Sequence, residues 1–334
     1  MKTLTDDVLL HSAIAPAVRR AERAGMCLVP ATRSERTNYA REAKYGMLTS
    51  PMKQMYARTS YWETLEPKER AMHCMRSLQK LHPTWVFAGP SAALVYGLEV
   101  PDADVWPLRV AILRGENAYS SREMIRMTVD DNTAVLVDRL RVTSLERTVF
   151  DCLREMSFAD GLAVADSALA LGQITKEELI YRIDGFRKTS RGGRHAMETL
   201  RYADAHAQGA VESFARAAVI ELGFVEPFTH VDIPCADGST VQGALGWRNA
   251  DGSMVLVSPD ESLDAGTWTR EDVASGAGSP AIRLGRFSPA CLEDREAFAN
   301  MLDDLGVARL PGGPTVGKEK VYTPAVLQVE ESAS

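Results

Sequence analysis

The stretch GALGWRNADGSMVLVSPDES, residues 243–262, predicts two apolar strands, Gly243–Trp247 and Met254–Val257, joined by a polar turn. The second strand runs out into Ser258, Pro259, Asp260, Glu261 and Ser262. Carboxylates at a strand end can hold a divalent cation, because magnesium requires several hard oxygen ligands. The segment is therefore a metal site, a degraded one, or a hairpin with a solvated end.

Working outward, residues 196–223 carry helical periodicity, with GAVESFARAAVIELGF putting its apolar residues on one stripe. Strands are expected at 228–233, 240–247, 254–257 and 282–287, and a last helix at 291–305. From Pro311 the chain reads as a mobile tail. Gly312, Gly317 and Lys318 there have phosphate-loop spacing, but Glu319 stands where a magnesium-binding hydroxyl is required and no βαβ unit surrounds them. Towards the N-terminus, helices are expected over 4–24 (broken at Pro16), from Ser34 to Gly46, and over 66–82. A β-like segment covers 48–59. Strands at 85–89, 107–113 and 134–138 precede a helix capped by Thr143 or Ser144, and further helices follow at 161–171 and 176–183.

The chain has 334 residues, 45% apolar and 25% charged, the balance of a globular protein of two or three domains. No apolar run approaches the ~20 residues that span a bilayer. Asp6 and Asp7 interrupt the N-terminus where an export signal needs an apolar core, so a cytoplasmic location is expected. Five scattered cysteines without a C-x-x-C pair suit reduced thiols and argue against zinc. No cofactor is expected.

Net charge is −7, yet residues 1–60 hold ten Lys and Arg against five Asp and Glu. A basic head on an acidic body is the electrostatic footprint of a polyanion contact at one end. On a helix, Arg33, Arg36, Arg41 and Lys44 fall within a sector of about 140°, with Asn38 at its border. The strand-like segment beyond adds Lys53, Tyr56 and Arg58. A basic helix followed by a basic β-ribbon is the layout of a winged helix, in which the helix enters the major groove and the wing touches phosphate.

FAGPSAALVYGLEVP (87–101) and VTSLERTVFDCL (142–153) resemble the two signature stretches of the AbiEi-like family of type IV antitoxins and transcriptional regulators. Ser91, Ala92, Ala93, Gly97 and Leu98 match the first, and Thr143, Glu146, Arg147, Thr148 and Asp151 the second. Ala165, Asp166, Ala168 and Leu169 match a downstream A-D-x-A-L. The resemblance covers residues 45–205 and implies a winged helix on operator DNA joined to an α+β antitoxin domain, with a cognate toxin as partner. The residues themselves admit structural roles: Ser91 as a helix cap, Asp151 in a pair with Arg147 one turn before it. At the Arg-Gly-x-Tyr step of the family's wing this chain has Lys53-Gln54-Met55-Tyr56, without the glycine.

Longer relatives resemble restriction endonucleases at their C-terminal end, with E-S on a helix, a strand D-x-x-W and a strand ending E-x-D-G. Here Glu212 and Ser213 supply the helix. Ala244 stands three residues before Trp247, where the acid belongs, Ser258 replaces the glutamate, and Asp260 alone persists. One leftover carboxylate does not hold magnesium.

The expectation is an α+β multidomain chain. It comprises a winged-helix-like segment (1–60), an AbiEi-like α+β domain (61–207), an endonuclease-like α/β domain without its catalytic acids (208–310) and a flexible tail (311–334). Its expected function is DNA-binding regulation. The alternatives are a metal-dependent endonuclease with a weak or altered site, using Glu212, Asp260 and Glu261, and a protein-interaction module.

Overall fold

The computed structural model describes residues 14–116, 119–130, 134–188, 190–234, 238–273, 281–317 and 321–322. They form eleven α-helices and three sheets, a mixed α/β architecture. These pack as two compact units, one within residues 1–148 and one within 149–323. No Pro- or Gly-rich linker marks the division, which falls inside the helix Leu145–Glu155.

The first unit opens with the helix Ala15–Arg23, with Pro16 in its first turn, where the missing N–H is not needed. Leu28 forms an isolated bridge with Tyr56. The helix Arg33–Lys44 starts at Thr32, whose hydroxyl accepts the Glu35 N–H while Glu35 bonds back to the Thr32 N–H. Strands β1 (Leu48–Thr49) and β2 (Ala57–Arg58) pair antiparallel. Ile14, Val18, Leu28, Tyr39 and Leu48 form the small core beneath them, and Tyr39 meets Tyr56 edge to face at 5.7 Å.

Helices Thr59–Thr64 and Pro67–Leu81 lead to a sheet of order β5-β4-β3-β7-β6. Its strands are β3 (Val86–Phe87), β4 (Leu108–Leu113), β5 (Met124–Val129), β6 (Val135–Val137) and β7 (Leu140–Val142). The pairs β4–β5 and β3–β7 are parallel. The helix Gly89–Tyr96 follows β3 and stops at Gly97, whose φ of +77° ends it in the left-handed region. Ser91 is not its cap. It is the third helical residue, buried, and its Oγ accepts the Arg109 N–H of β4 at 2.8 Å, clamping helix to sheet. The Thr143 N–H donates to the Phe87 carbonyl at 2.9 Å, and its hydroxyl meets that of Thr148 at 2.8 Å. Ser144 Oγ accepts the Arg147 N–H at 3.4 Å at the start of the next helix.

The second unit places helices Phe158–Ala170, Lys176–Arg187, Gly193–Arg201 and Ala210–Glu221 before a sheet of order β11-β12-β10-β9-β8, and the helix Arg295–Leu305 after it. The strands are β8 (Phe228–Pro234), β9 (Thr240–Arg248), β10 (Met254–Pro259), β11 (Trp268–Val273) and β12 (Ile282–Phe287). Only β10 and β12 run parallel, because β12 inserts between β10 and the edge strand β11. Val219 of the helix, Leu245, Trp247, Val255 and Val257 of the central strands, and Phe298 and Leu302 of the last helix share one core. The glycines of GALGW answer a packing demand: a Cβ on Gly243 or Gly246 would come within 2.8 or 2.9 Å of the Leu256 side chain.

Three departures from the sequence reading have physical causes. The helix expected over 196–223 is two helices, because side chains bond the backbone groups released between them: Arg216 takes the Tyr202 carbonyl and Asp166 the Asp204 N–H. Strand β11, WTREDV, escapes apolar patterning because it is an edge with exposed charged residues. Where a tail was expected from Pro311, Val316 is buried, Thr315 meets the Tyr202 hydroxyl at 2.6 Å, and the Tyr322 N–H donates to the Arg154 carbonyl at 2.8 Å. Lys318 lies outside the described residues.

The turn between β1 and β2 holds Gln54 at φ +64°. A side chain in that region costs about 1 kcal/mol, partly offset by glycine's larger unfolded-state entropy. Gln54→Gly is expected to raise stability by up to about 1 kcal/mol, as a higher urea midpoint at unchanged slope. A lower midpoint would show that contacts of Gln54 outweigh its backbone strain.

Candidate functional site

The helix Arg33–Lys44 sorts its residues by charge. Arg33, Arg36, Arg41 and Lys44 are exposed and Asn38 is half-buried, while Tyr39 and Glu42 are buried. Glu42 pairs with Arg41 at 3.4 Å, leaving the Arg41 side chain 47% exposed. Lys53 is exposed beside Gln54 at the hairpin turn. Arg19, Arg20 and Arg23 of the preceding helix are exposed as well. Arg20 acts on the Tyr39 hydroxyl, whose pKa is raised by burial and by Glu35 against the pull of Arg20.

Two residues expected on this face are turned to the fold instead. Arg58 grips Glu22 with both ends of its guanidinium, at 2.8 and 3.0 Å, and its side chain is 17% exposed. Tyr56 exchanges two backbone hydrogen bonds with Leu28, at 2.7 and 2.9 Å, and rests its ring on Tyr39. Both hold the hairpin against the two helices.

The residues that carry the AbiEi-like resemblance are largely internal. Tyr96 donates its hydroxyl to the Thr143 carbonyl at 3.0 Å, and burial together with nearby Glu146 pushes its pKa up to about 12. Glu146 is half-buried and Arg147 buried. Asp151 is fully buried and accepts from Arg154 Nε at 2.9 Å. Arg154 also lies over the Tyr322 ring, 4.9 Å from its centroid. Asp166 accepts from the Asp204 N–H and the Ser213 hydroxyl, each at 2.7 Å, and from Arg216, itself buried. Burial pushes the Asp166 carboxyl above its ordinary value, against the pull of Arg216 and the other donors.

In the second unit, Glu212, Ala244 and Ser258 line one cleft of about 550 Å³. Glu212 accepts the Gln208 N–H at 2.8 Å, serving the start of its own helix. Ala244 is buried, and its N–H donates to Ser258 Oγ at 3.0 Å, joining β9 to β10. Asp260 does not line the cleft. It folds back on Ser262, accepting its N–H at 2.9 Å and its hydroxyl at 2.5 Å, which lowers its pKa. Glu271, Arg286 and His230 also line the cleft, and the His230 ring meets Gln208 at 3.1 Å. These three come from β11, β12 and β8, and no local motif announced them.

Among the described residues no group of three or more His, Cys, Asp and Glu side chains could hold a metal ion, and no helix is long and apolar enough to cross a membrane. The chain matches no protein-family model, no curated protein and no solved structure.

Asp204 joins the ion pair to the sheet. Burial raises its pKa, but bonds from the Thr229 hydroxyl of β8 and from the N–H and ring of His206 bring it down to about 2. A carboxyl held low stabilises the fold above its unfolded pKa of about 4, and that stabilisation disappears as the pH falls towards 2. Asp204→Asn is therefore expected to lower the urea midpoint at pH 7 and to converge with wild type as the pH drops below about 4. A gap that stays constant with pH would refute this.

Proposed function

We propose that the chain is a cytoplasmic DNA-binding regulator of the kind the AbiEi-like resemblance implies, with helix Arg33–Lys44 and the following hairpin used as a winged helix. The carrying observation is the charge sorting of that helix, with Arg33, Arg36, Arg41 and Lys44 all exposed over a buried Tyr39. A helix narrow enough for the major groove, with an outward cationic face, gains affinity by releasing counterions from phosphate. Lys53 at the hairpin turn supplies the contact expected of a wing, and Asn38 is the amide placed to reach a base edge. A cognate toxin is the protein partner this reading implies.

The second unit reads as an endonuclease-like domain that has lost catalysis. In support, the helix acid, the replaced aspartate position and the replaced glutamate position share one cleft. Two positions lack carboxylates, and Glu212 is bonded to its own helix start. Magnesium would find too few free oxygens there.

The test is binding of duplex DNA from the region upstream of the gene, followed by fluorescence anisotropy over a salt series. Arg36→Ala and Arg41→Ala should each weaken binding and reduce the slope of log K against log salt by about 1. Arg58→Ala should lower stability and leave that slope unchanged. Folded protein that fails to bind at low salt, where phosphate contacts are strongest, would overturn the proposal.

A further inference from the structure

Beside the turn of β6 and β7 lies a cleft of about 870 Å³ within the first unit. Three separate elements bring cations to it: Arg23 from the end of its helix, Arg76 and Lys80 from helix Pro67–Leu81, and Arg139 from the turn. Its two carboxylates are already bonded, Glu22 to Arg58 and Asp138 to Arg76 at 3.0 Å. Arg23, Lys80 and Arg139 have no ion-pair partner among the described residues. Positive charge is left over on a concave surface.

The turn supplies a second observation. Val137 pairs with Leu140, so Asp138 and Arg139 form a two-residue connection, with φ of +45° and +63°. Such a turn favours Asn-Gly or Asp-Gly, because both central residues are left-handed. Here arginine occupies the glycine position, a strained choice at a residue that lines the cleft. Complementing helix C-termini accounts for Arg23 and Lys80 but not for Arg139. Strain retained at one position, against the local preference, is characteristic of a site that uses the residue. Arg76 is also held ready: its Nη1 lies 3.5 Å from the Gly25 carbonyl. A Cβ on Gly25, at φ +59°, would approach that Nη1 to 2.8 Å.

We infer that this cleft binds a small molecule carrying two or more linked phosphates. Its volume is that of a ligand site, and several guanidinium forks match phosphoryl oxygens better than they match a single carboxylate. The linked phosphates are the shared chemistry of a free nucleotide and of an inorganic phosphate chain. The inference stands apart from the DNA-binding reading, which rests on other side chains.

The experiment is calorimetric titration of the full chain with inorganic triphosphate and with nucleoside triphosphates, at about 150 mM salt to suppress loose surface pairing. Saturable binding is expected, weakened about tenfold by Arg139→Gly and by Lys80→Gln. Arg139→Gly should melt at the same temperature as wild type or higher without ligand, because glycine relieves the turn. Loss of binding with retained stability separates a ligand contact from a structural role. Tighter binding of a nucleoside triphosphate than of triphosphate identifies a nucleotide site, and equal binding a site for the phosphate chain alone; both uphold the inference. It is overturned if no saturable binding occurs or if both variants bind like wild type. It is equally overturned if Arg139→Gly weakens duplex DNA by the same factor, since the cleft would then belong to a nucleic-acid interface.

Discussion

Asp166 and Arg216 are opposite charges held almost wholly out of water, and the second unit is arranged to satisfy them. A buried carboxylate is tolerated only with its oxygens bonded, and this one receives the guanidinium, the Ser213 hydroxyl and the Asp204 N–H. Arg216 in turn holds the Tyr202 carbonyl. The consequence is geometric. The chain must leave its helix at Tyr202, turn past Asp204 and start again at Ala210, which sets Asp204 on Thr229 of β8 and Glu212 at the mouth of the cleft. Removing one partner of such a pair costs about 3–5 kcal/mol, because the other is left charged in a dry interior.

The same economy of charge explains the hairpin 243–262. Asp260 serves a turn with Ser262, Glu212 serves a helix start, and Ser258 serves the backbone of Ala244. One oxygen of each of these side chains is already bonded within the protein. Glu271 does face the cleft, but Arg286 lines it too, and a guanidinium raises the cost of placing a divalent cation nearby. Glu212, Glu271, Arg286 and His230 give the cleft a polar lining.

In the first unit the distinction is between cations that face outward and cations the fold has used. Helical periodicity identified the outward set on Arg33–Lys44 because a single helix determines which of its own residues share a face. It could not identify Arg58, whose partner Glu22 is 36 residues away, nor Arg139, whose meaning depends on a turn conformation and on a cleft built by other elements. Ser91 was legible as a polar residue near a helix start. That its hydroxyl receives the Arg109 N–H was not, since strand β4 comes later in the chain.

Local patterning in the amino-acid order was enough for the apolar strands β8, β9, β10 and β12, for most helices, and for the basic stripe near the N-terminus, because each depends on neighbours within a few residues. Packing between distant segments decided the rest: the break at Tyr202–Gly209, the edge position of β11, the capture of Arg58 and the gathering of Glu212, Ala244 and Ser258 on one cleft. Those outcomes are set by which buried charge or backbone group finds which partner, and no window along the chain contains both members of the pair.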